Sequence, residues 1–393
     1  MEFTIPFIFQ RSPKIIFGAG EIKKIGQLAA GFGKKTLIVR GRASLRQSTV
    51  WKTITQSLNE YGVTFFEYEI DGEPSPQAID NAVERYSAEA PDCVIAPGGG
   101  SVIDAGKAIS AMLQCKKPVT QFLEVVGTQK PDGRKIPLIA IPTTSGTGSE
   151  ATANAVLSTI GNNGFKRSLR HDNYIPDIAL VDPELTLSCP PAVTAACGMD
   201  ALTQLLEAYV STKASIMTDA LCESALPLVG KHLVSAVKSG ATDIAARTAM
   251  AYASLCSGIA LANAGLGVVH GLASLIGALF EIPHGVVCGT LLAGSVRANV
   301  EKLKTLPDGA PALKKYTRAS SLVSGKVYRD DTSAVNDLVD FLKNLSEQLE
   351  MPRLARYGIR ENDIGRFLTE NVNKNNPVLL AHGDIRSVLQ ERI

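Results

Sequence analysis

The chain has 393 residues, 45% hydrophobic and 20% charged, with Lys+Arg 40 against Asp+Glu 38 and a formal net charge of +2. That balance excludes a disordered chain and allows a large core. No polybasic run marks a nucleic-acid partner, so a small molecule is the expected one. The length sets a prior of about two to three domains.

In chain order, Thr36–Arg40, Val63–Ile70, Asp92–Ala96, Leu138–Ile141 and Ile178–Val181 are short apolar or β-branched runs that read as strands. Glu21–Phe32, Thr49–Tyr61, Pro76–Ala90 and Val102–Leu113 have helical spacing, and Ser75-Pro76 is a good helix start. Alternation of this kind predicts a parallel sheet covered by helices on both faces. Asn162-Asn163-Gly164 and 307–311 read as surface turns. After Pro190-Pro191 strand signals nearly vanish and Ala-, Leu- and Ser-rich helical stretches take over. The expected division is an α/β dinucleotide-binding domain over 1–186 and a helical metal and substrate domain over 187–393.

From Thr248 to Phe280 there is no Asp, Glu, Lys or Arg. Length alone would allow a membrane span. Asn263, His270, the break at Pro283 and the lack of interfacial anchors predict a pair of buried core helices instead. The seven cysteines are scattered without a Cys-x-x-Cys pair, which predicts reduced thiols. The first residues show no secretory pattern, so the expected location is cytoplasmic.

Two loops carry chemistry. Asp92–Ala96 runs into Pro97-Gly98-Gly99-Gly100-Ser101 and then a helix, an order that brings backbone N–H groups to an anion. Ser101 can cap that helix, with Asp104 completing a capping box; a tight βα turn explains the same residues without a ligand. Leu138–Ile141 leads into the hydroxyl-rich stretch from Pro142 to Glu150, which on its own reads as a solvated turn. Two such loops at strand ends together predict a dinucleotide site.

These segments resemble the iron-containing (group III, metal-dependent) alcohol dehydrogenase family. The likeness rests on Gly98-Gly99-Gly100-Ser101-x-x-Asp104-x-x-Lys107 and Pro142-Thr143-Thr144-x-Gly146-Thr147-Gly148-Ser149-Glu150. It continues through Asp182-Pro183-Glu184-Leu185, Gly198-Met199-Asp200-Ala201-Leu202, His270-Gly271-x-Ala273 and Pro283-His284-Gly285. The resemblance implies a Rossmann-like N-terminal domain, a helical C-terminal domain and a homodimer or higher homo-oligomer. It implies NAD or NADP with its pyrophosphate on Gly98–Ser101. Thr143, Thr144, Thr147, Ser149 and Lys166 then lie among the cofactor contacts, with Asp182 and Leu185 where the chain enters the second domain.

The family holds one divalent metal, Fe or Zn, with an Asp, a His four residues later and two further His fourteen residues apart. Here these positions are Asp200, Gln204, His270 and His284. An amide oxygen is a poorer donor than imidazole. Three alternatives stand: a mixed site completed by Gln204, a three-ligand site with a water, or a site without metal, its histidines satisfied in the core. Ser274 stands where relatives often carry another His. Asp200, His270 and His284 are the expected catalytic set, orienting the oxygen of a small alcohol or aldehyde in a pocket near Leu261 and 270–285. Where NAD-preferring relatives often place an Asp, this chain has Gly41 between Arg40 and Arg42. Two arginines beside a missing carboxylate predict that NADP is preferred or accepted, although two surface arginines would look the same. Two other readings remain, a non-redox dehydroquinate-synthase-like lyase and a metal-free nucleotide-binding protein.

Overall fold

The structure, a computed structural model, describes residues 6–42 and 45–393. It divides into two compact units, one spanning residues 10–159 and 164–189, the other holding 190–393 with 160–163 and the first described residues.

The first unit is α/β. Its strands are β1 (Lys14–Phe17), β2 (Lys35–Gly41), β3 (Thr64–Ile70), β4 (Cys93–Gly98), β5 (Leu138–Pro142), β6 (Asn154–Thr159), β7 (Phe165–Arg170) and β8 (Ile178–Val181). Six of them form one sheet in the order β1-β8-β5-β4-β2-β3, parallel at every described pairing. The helices α1 (Ile25–Ala30), α2 (Thr49–Glu60), α3 (Pro76–Tyr86) and α4 (Gly100–Cys115) belong to this unit. Two apolar clusters use alternate residues of the same strands: Leu37, Val39, Val94 and Ala96 in one, Ile38, Ile95, Ile139 and Leu180 in the other. A sheet buried on both faces explains why its strands read as unbroken apolar runs. Ser75 caps α3, accepting from Ala78 N, with Pro76 in the first turn.

All five expected strands form, within a residue or two of their expected ends. Three others were not legible. β1 is a short edge strand with an exposed or half-buried pattern, and β6 and β7 form a separate antiparallel hairpin of mixed polarity. Residues 162–164, expected as a surface turn, sit between the strands of that hairpin.

The second unit is built of α5 (Pro191–Val210), α6 (Ile216–Lys238), α7 (Ile244–Ala264), α8 (Val268–Leu279), α9 (His284–Lys304), α10 (Ala310–Ser324), α11 (Asp331–Gln348) and α12 (His382–Gln390), with short 3-10 turns between them. The uncharged stretch becomes α7 and α8. By length and composition α7 could cross a membrane, yet 61% of its apolar window is buried within the fold. Among the described residues no disulfide forms, and all seven cysteines are thiols.

Candidate functional site

The two loops of the α/β unit lie side by side. β4 and β5 pair in parallel with Gly98 opposite Pro142, so the glycine loop and the Thr/Gly loop leave adjacent strand ends, joined by Thr143 N donating to Gly98 O at 2.9 Å. From β2 the chain steps outward to β3 and returns on the other side of β2 as β4. That reversal is a topological switch point, where open α/β sheets bind ligands. Gly41 ends β2 beside it. The glycines are required by the packing itself. A Cβ on Gly98 would stand 2.5 Å from Val102 Cβ, and one on Gly100 would stand 2.7 Å from Thr147 Cγ2.

The expected capping box does not form. Gly99 is the N-cap of α4 and no side chain caps that helix. Asp104 is engaged elsewhere, accepting from Ser149 Oγ at 2.5 Å and Val156 N at 3.0 Å and pairing with Lys107 at 3.1 Å. The first N–H groups of α4 are therefore left to a ligand or solvent. An uncapped helix start framed by glycines, with the buried Ser145 hydroxyl lacking a hydrogen-bond partner nearby in the second loop, suits a pyrophosphate.

Lys107 fixes the second loop from below. Its ammonium is fully buried and donates to Ser149 O, Thr152 Oγ1 and Asn154 O at 2.9, 2.9 and 2.5 Å. Burial lowers its pKa, against the opposing pull of Asp104. Glu150 beside it is buried too, and desolvation pushes its carboxyl up to about 7.

The other expected cofactor residues are distributed around this frame. Lys166 on β7 pairs with Glu73 at 2.9 Å. Asp182 accepts from the N–H groups of Gly20, Ile22 and Glu184 at 3.0–3.1 Å, and Leu185 is buried in the core. Arg40 departs from expectation. Its side chain is buried and held by Glu67 and Glu69 of β3 at 2.8 and 3.0 Å, so it is committed to the sheet and not available to a phosphate. Arg42 is exposed and pairs with Asp71.

In the helical unit α5 presents Asp200, Gln204 and Glu207 along one buried face. α9 packs against it closely. A Cβ on Gly285 would lie 2.3 Å from Ala196 O, and one on Gly289 would lie 2.7 Å from Met199 Cβ. That approach brings His284 Nε2 to 3.8 Å from Asp200 Oδ1, while His270 Nε2 from α8 reaches the same oxygen at 3.3 Å. Cys288 also faces the cluster, with Sγ 3.6 Å from Nε2 of each histidine, and the four donor atoms lie within 4.8 Å of one another.

Sequence reasoning missed two of these residues. Glu207 accepts from His270 Nδ1 at 2.7 Å and from the N–H groups of Val269 and His270 at 2.7 and 3.4 Å. It thereby sets the ring tautomer and covers the start of α8. A buried acid on the Asp200 face was the available signal. Cys288 was legible as His284-x-x-x-Cys288, one turn along the same helix face. Gln204 Oε1 accepts from the Ser257 hydroxyl at 2.8 Å, and Nε2 stands 3.4 Å from Asp200 Oδ2.

Burial alone would raise the Asp200 carboxyl, but His284 and His270 outweigh it and hold it low. Burial works against protonation of His270, yet its anionic neighbours carry its pKa well above the ordinary value. The neighbouring Cys288 sulfur and the hydrogen bonds to Asp200 and Glu207 act together there, while burial pushes the Cys288 thiol itself up to about 12. A carboxylate oxygen lies 3.3 and 3.8 Å from the two imidazole nitrogens, the first at the tetrahedral edge of about 3.3–3.5 Å for nitrogen and oxygen ligands and the second a few tenths of an ångström longer. These residues fit a divalent transition metal.

Fold and side chains thus define a two-domain protein, an α/β unit of dinucleotide-binding form followed by a helical unit with a carboxylate–imidazole cluster. Comparison narrows the class. Residues 12–183 match the family profile described as iron-containing alcohol dehydrogenase, and residues 194–393 match that of the C-terminal domain of the same family. The chain belongs to the iron-containing alcohol dehydrogenase family and is an alcohol/aldehyde oxidoreductase. It is 32% identical over 365 residues to an NADPH-dependent butanol dehydrogenase of Clostridium saccharobutylicum, covering 92% of this chain and 88% of that one. It is 28% identical over 389 residues to an NAD-dependent methanol dehydrogenase of Bacillus methanolicus, covering 97% and 98%. The solved alcohol dehydrogenase from Oenococcus oeni superposes with a TM-score of 0.86 at 30% identity, covering 99% of this chain and 100% of that one. With both units matched to one family of dehydrogenases, the lyase reading is set aside.

Proposed function

We propose that the chain is a metal-dependent, NADP-accepting reductase of short, weakly polar aldehydes, reversible toward the alcohol, and works as a homo-oligomer. Asp200, His270 and His284 hold a divalent metal, Fe or Zn. Gly98, Gly99, Gly100 and Ser101 receive the pyrophosphate, and Thr143, Thr144, Thr147 and Ser149 shape the neighbouring loop around the rest of the nucleotide, with Asp104 and Lys107 bracing it. The carrying observation is the convergence of Asp200 Oδ1 with Nε2 of both histidines while Glu207 holds the far nitrogen of His270.

When bound, the metal supplies Lewis acidity at the substrate oxygen and the nicotinamide accepts or gives hydride. The chain's own residues supply placement and charge. Glu207 keeps the His270 Nδ1 proton, leaving Nε2 as the donor atom. Ser274, one turn along α8, offers a hydroxyl where relatives often carry an imidazole, so the substrate proton leaves through hydroxyls or water. The relatives' names include both NADPH and NAD. Gly41 leaves no carboxylate to repel a 2′-phosphate, and the exposed Arg42 can approach one.

The test is elemental analysis of the purified protein together with NADPH and NADH oxidation over short aldehydes, in the wild type and in Gly41→Asp. Stoichiometric metal, turnover with NADPH and a shift toward NADH in Gly41→Asp are expected. Strong NADH preference in the wild type refutes the cofactor choice. Metal-free protein without turnover refutes the whole reading.

A further inference from the structure

The family pattern leaves a fourth metal position open in this chain, because Gln204 replaces the histidine and directs its carbonyl oxygen to Ser257. Another donor already points at the cluster. Tetrahedral geometry with metal–nitrogen bonds of about 2.1 Å and a metal–sulfur bond of about 2.3 Å requires a nitrogen–sulfur separation of about 3.6 Å. Cys288 Sγ stands 3.6 Å from Nε2 of His270 and 3.6 Å from Nε2 of His284. Both sulfur–nitrogen separations are thus those of tetrahedral edges, and Asp200 Oδ1 joins the cluster at 3.3 and 3.8 Å from the same nitrogens, with all four donor atoms inside 4.8 Å.

We propose that Cys288 is the fourth metal ligand of this protein, giving an Asp200, His270, His284, Cys288 donor set in which Gln204 positions Asp200 without binding the ion. This rests on the reading that Asp200, His270 and His284 hold a metal. On binding, the Cys288 S–H proton passes to solvent and the sulfur lone pair enters the metal–sulfur bond, with no change of oxidation state. A thiolate in place of an imidazole adds one negative charge and a soft donor, which favours Zn²⁺ over harder ions at this centre.

The same helix supplies both ends of the arrangement. His284 and Cys288 are one turn apart on α9, and the glycines at 285 and 289 let that helix lie against α5 at the height of Asp200. Cys288 is buried, so the sulfur is shielded from casual oxidants and from disulfide exchange.

The test uses full-length protein stripped with a chelator and reloaded with Co²⁺, whose thiolate complexes show a sulfur-to-cobalt charge-transfer band in the near ultraviolet. Zn²⁺ affinity is measured in parallel by competition with a chromophoric chelator. The wild type is expected to take up one Co²⁺ per chain with that band. Cys288→Ala and the near-isosteric Cys288→Ser are expected to lose the band and at least tenfold in Zn²⁺ affinity, whereas Gln204→Ala keeps the band. Stoichiometric Co²⁺ without the band in the wild type, or a band that survives in Cys288→Ser, overturns the role of Cys288 while leaving the three-residue centre standing. No Co²⁺ or Zn²⁺ uptake by the wild type overturns both.

Discussion

Replacing Lys107 by methionine tests how the nucleotide loop is held. The substitution keeps an unbranched stem of similar length and removes the ammonium, which is fully buried and shared among Asp104, Ser149 O, Thr152 Oγ1 and Asn154 O. The change leaves Asp104 as a charge with Ser149 Oγ and Val156 N as its remaining partners, and takes the ammonium donor away from the carbonyl oxygens of Ser149, Thr152 and Asn154. Breaking a buried ion pair from one side costs about 3–5 kcal/mol. Relief of the lysine's own desolvation, which already depresses its pKa, places the result at the lower end of that range. For a domain of this size each kcal/mol moves Tm by about 2–4 °C, so a drop of roughly 6–12 °C is expected in calorimetry. NADPH affinity, followed by quenching of protein fluorescence, is expected to fall more than tenfold, because the loop from Thr143 to Ser149 loses its anchor. Adding Asp104→Asn should recover part of the lost stability, giving a coupling of about 1–3 kcal/mol in a double-mutant cycle. A Lys107→Met protein within about 1 kcal/mol of wild type, or additive single and double variants, refutes the assignment of Lys107 as the brace.

Two further outcomes follow from the site. Glu207→Gln keeps the size of the side chain but can offer its NH₂ group to His270 Nδ1, forcing the opposite tautomer and placing a proton on the atom that must donate to metal. Metal affinity is expected to drop 10–100-fold, measured by chelator competition, with helical circular dichroism retained; unchanged affinity would remove Glu207 from the metal centre. Glu150 gives a pH signature. Its folded carboxyl titrates at about 7 against an ordinary 4.5, so the folded chain binds the extra proton between those values and stability declines as pH rises from 4.5 through 7. The full effect is at most about 3 kcal/mol. Glu150→Gln should therefore flatten the fall in Tm between pH 5 and 8 and be the more stable protein at pH 8; an unaltered slope rules this out.

The α/β frame was legible where burial is two-sided, since β2, β4, β5 and β8 are written mainly with apolar or β-branched residues. β1 and the β6–β7 hairpin were illegible for the complementary reason: half-exposed strands tolerate Lys14, Asn154 or Arg170, and period and hydropathy then carry little signal. At the site the residue types and spacing of Asp200, His270 and His284 were readable, but the partners of each side chain were not. Asp104 follows Ser101 at capping-box spacing and yet serves Ser149, Val156 and Lys107, because α4 starts two residues earlier than the box requires and a neighbouring loop offers better partners. Arg40 looked like a phosphate ligand by sequence position, but its register beside β3 hands it to Glu67 and Glu69. Such choices depend on which strand or helix lies next door, and local sequence does not encode that.

At Gly285 α9 rests on the backbone of Ala196 in α5, and at Gly289 it closes directly on the Met199 side chain. A helix seated this closely can neither roll nor slide without collision, so the spacing between the two walls of the cluster is a constant of the scaffold. On such rigid walls a donor lost from one side can be restored from the other with the rest of the cage left undisturbed.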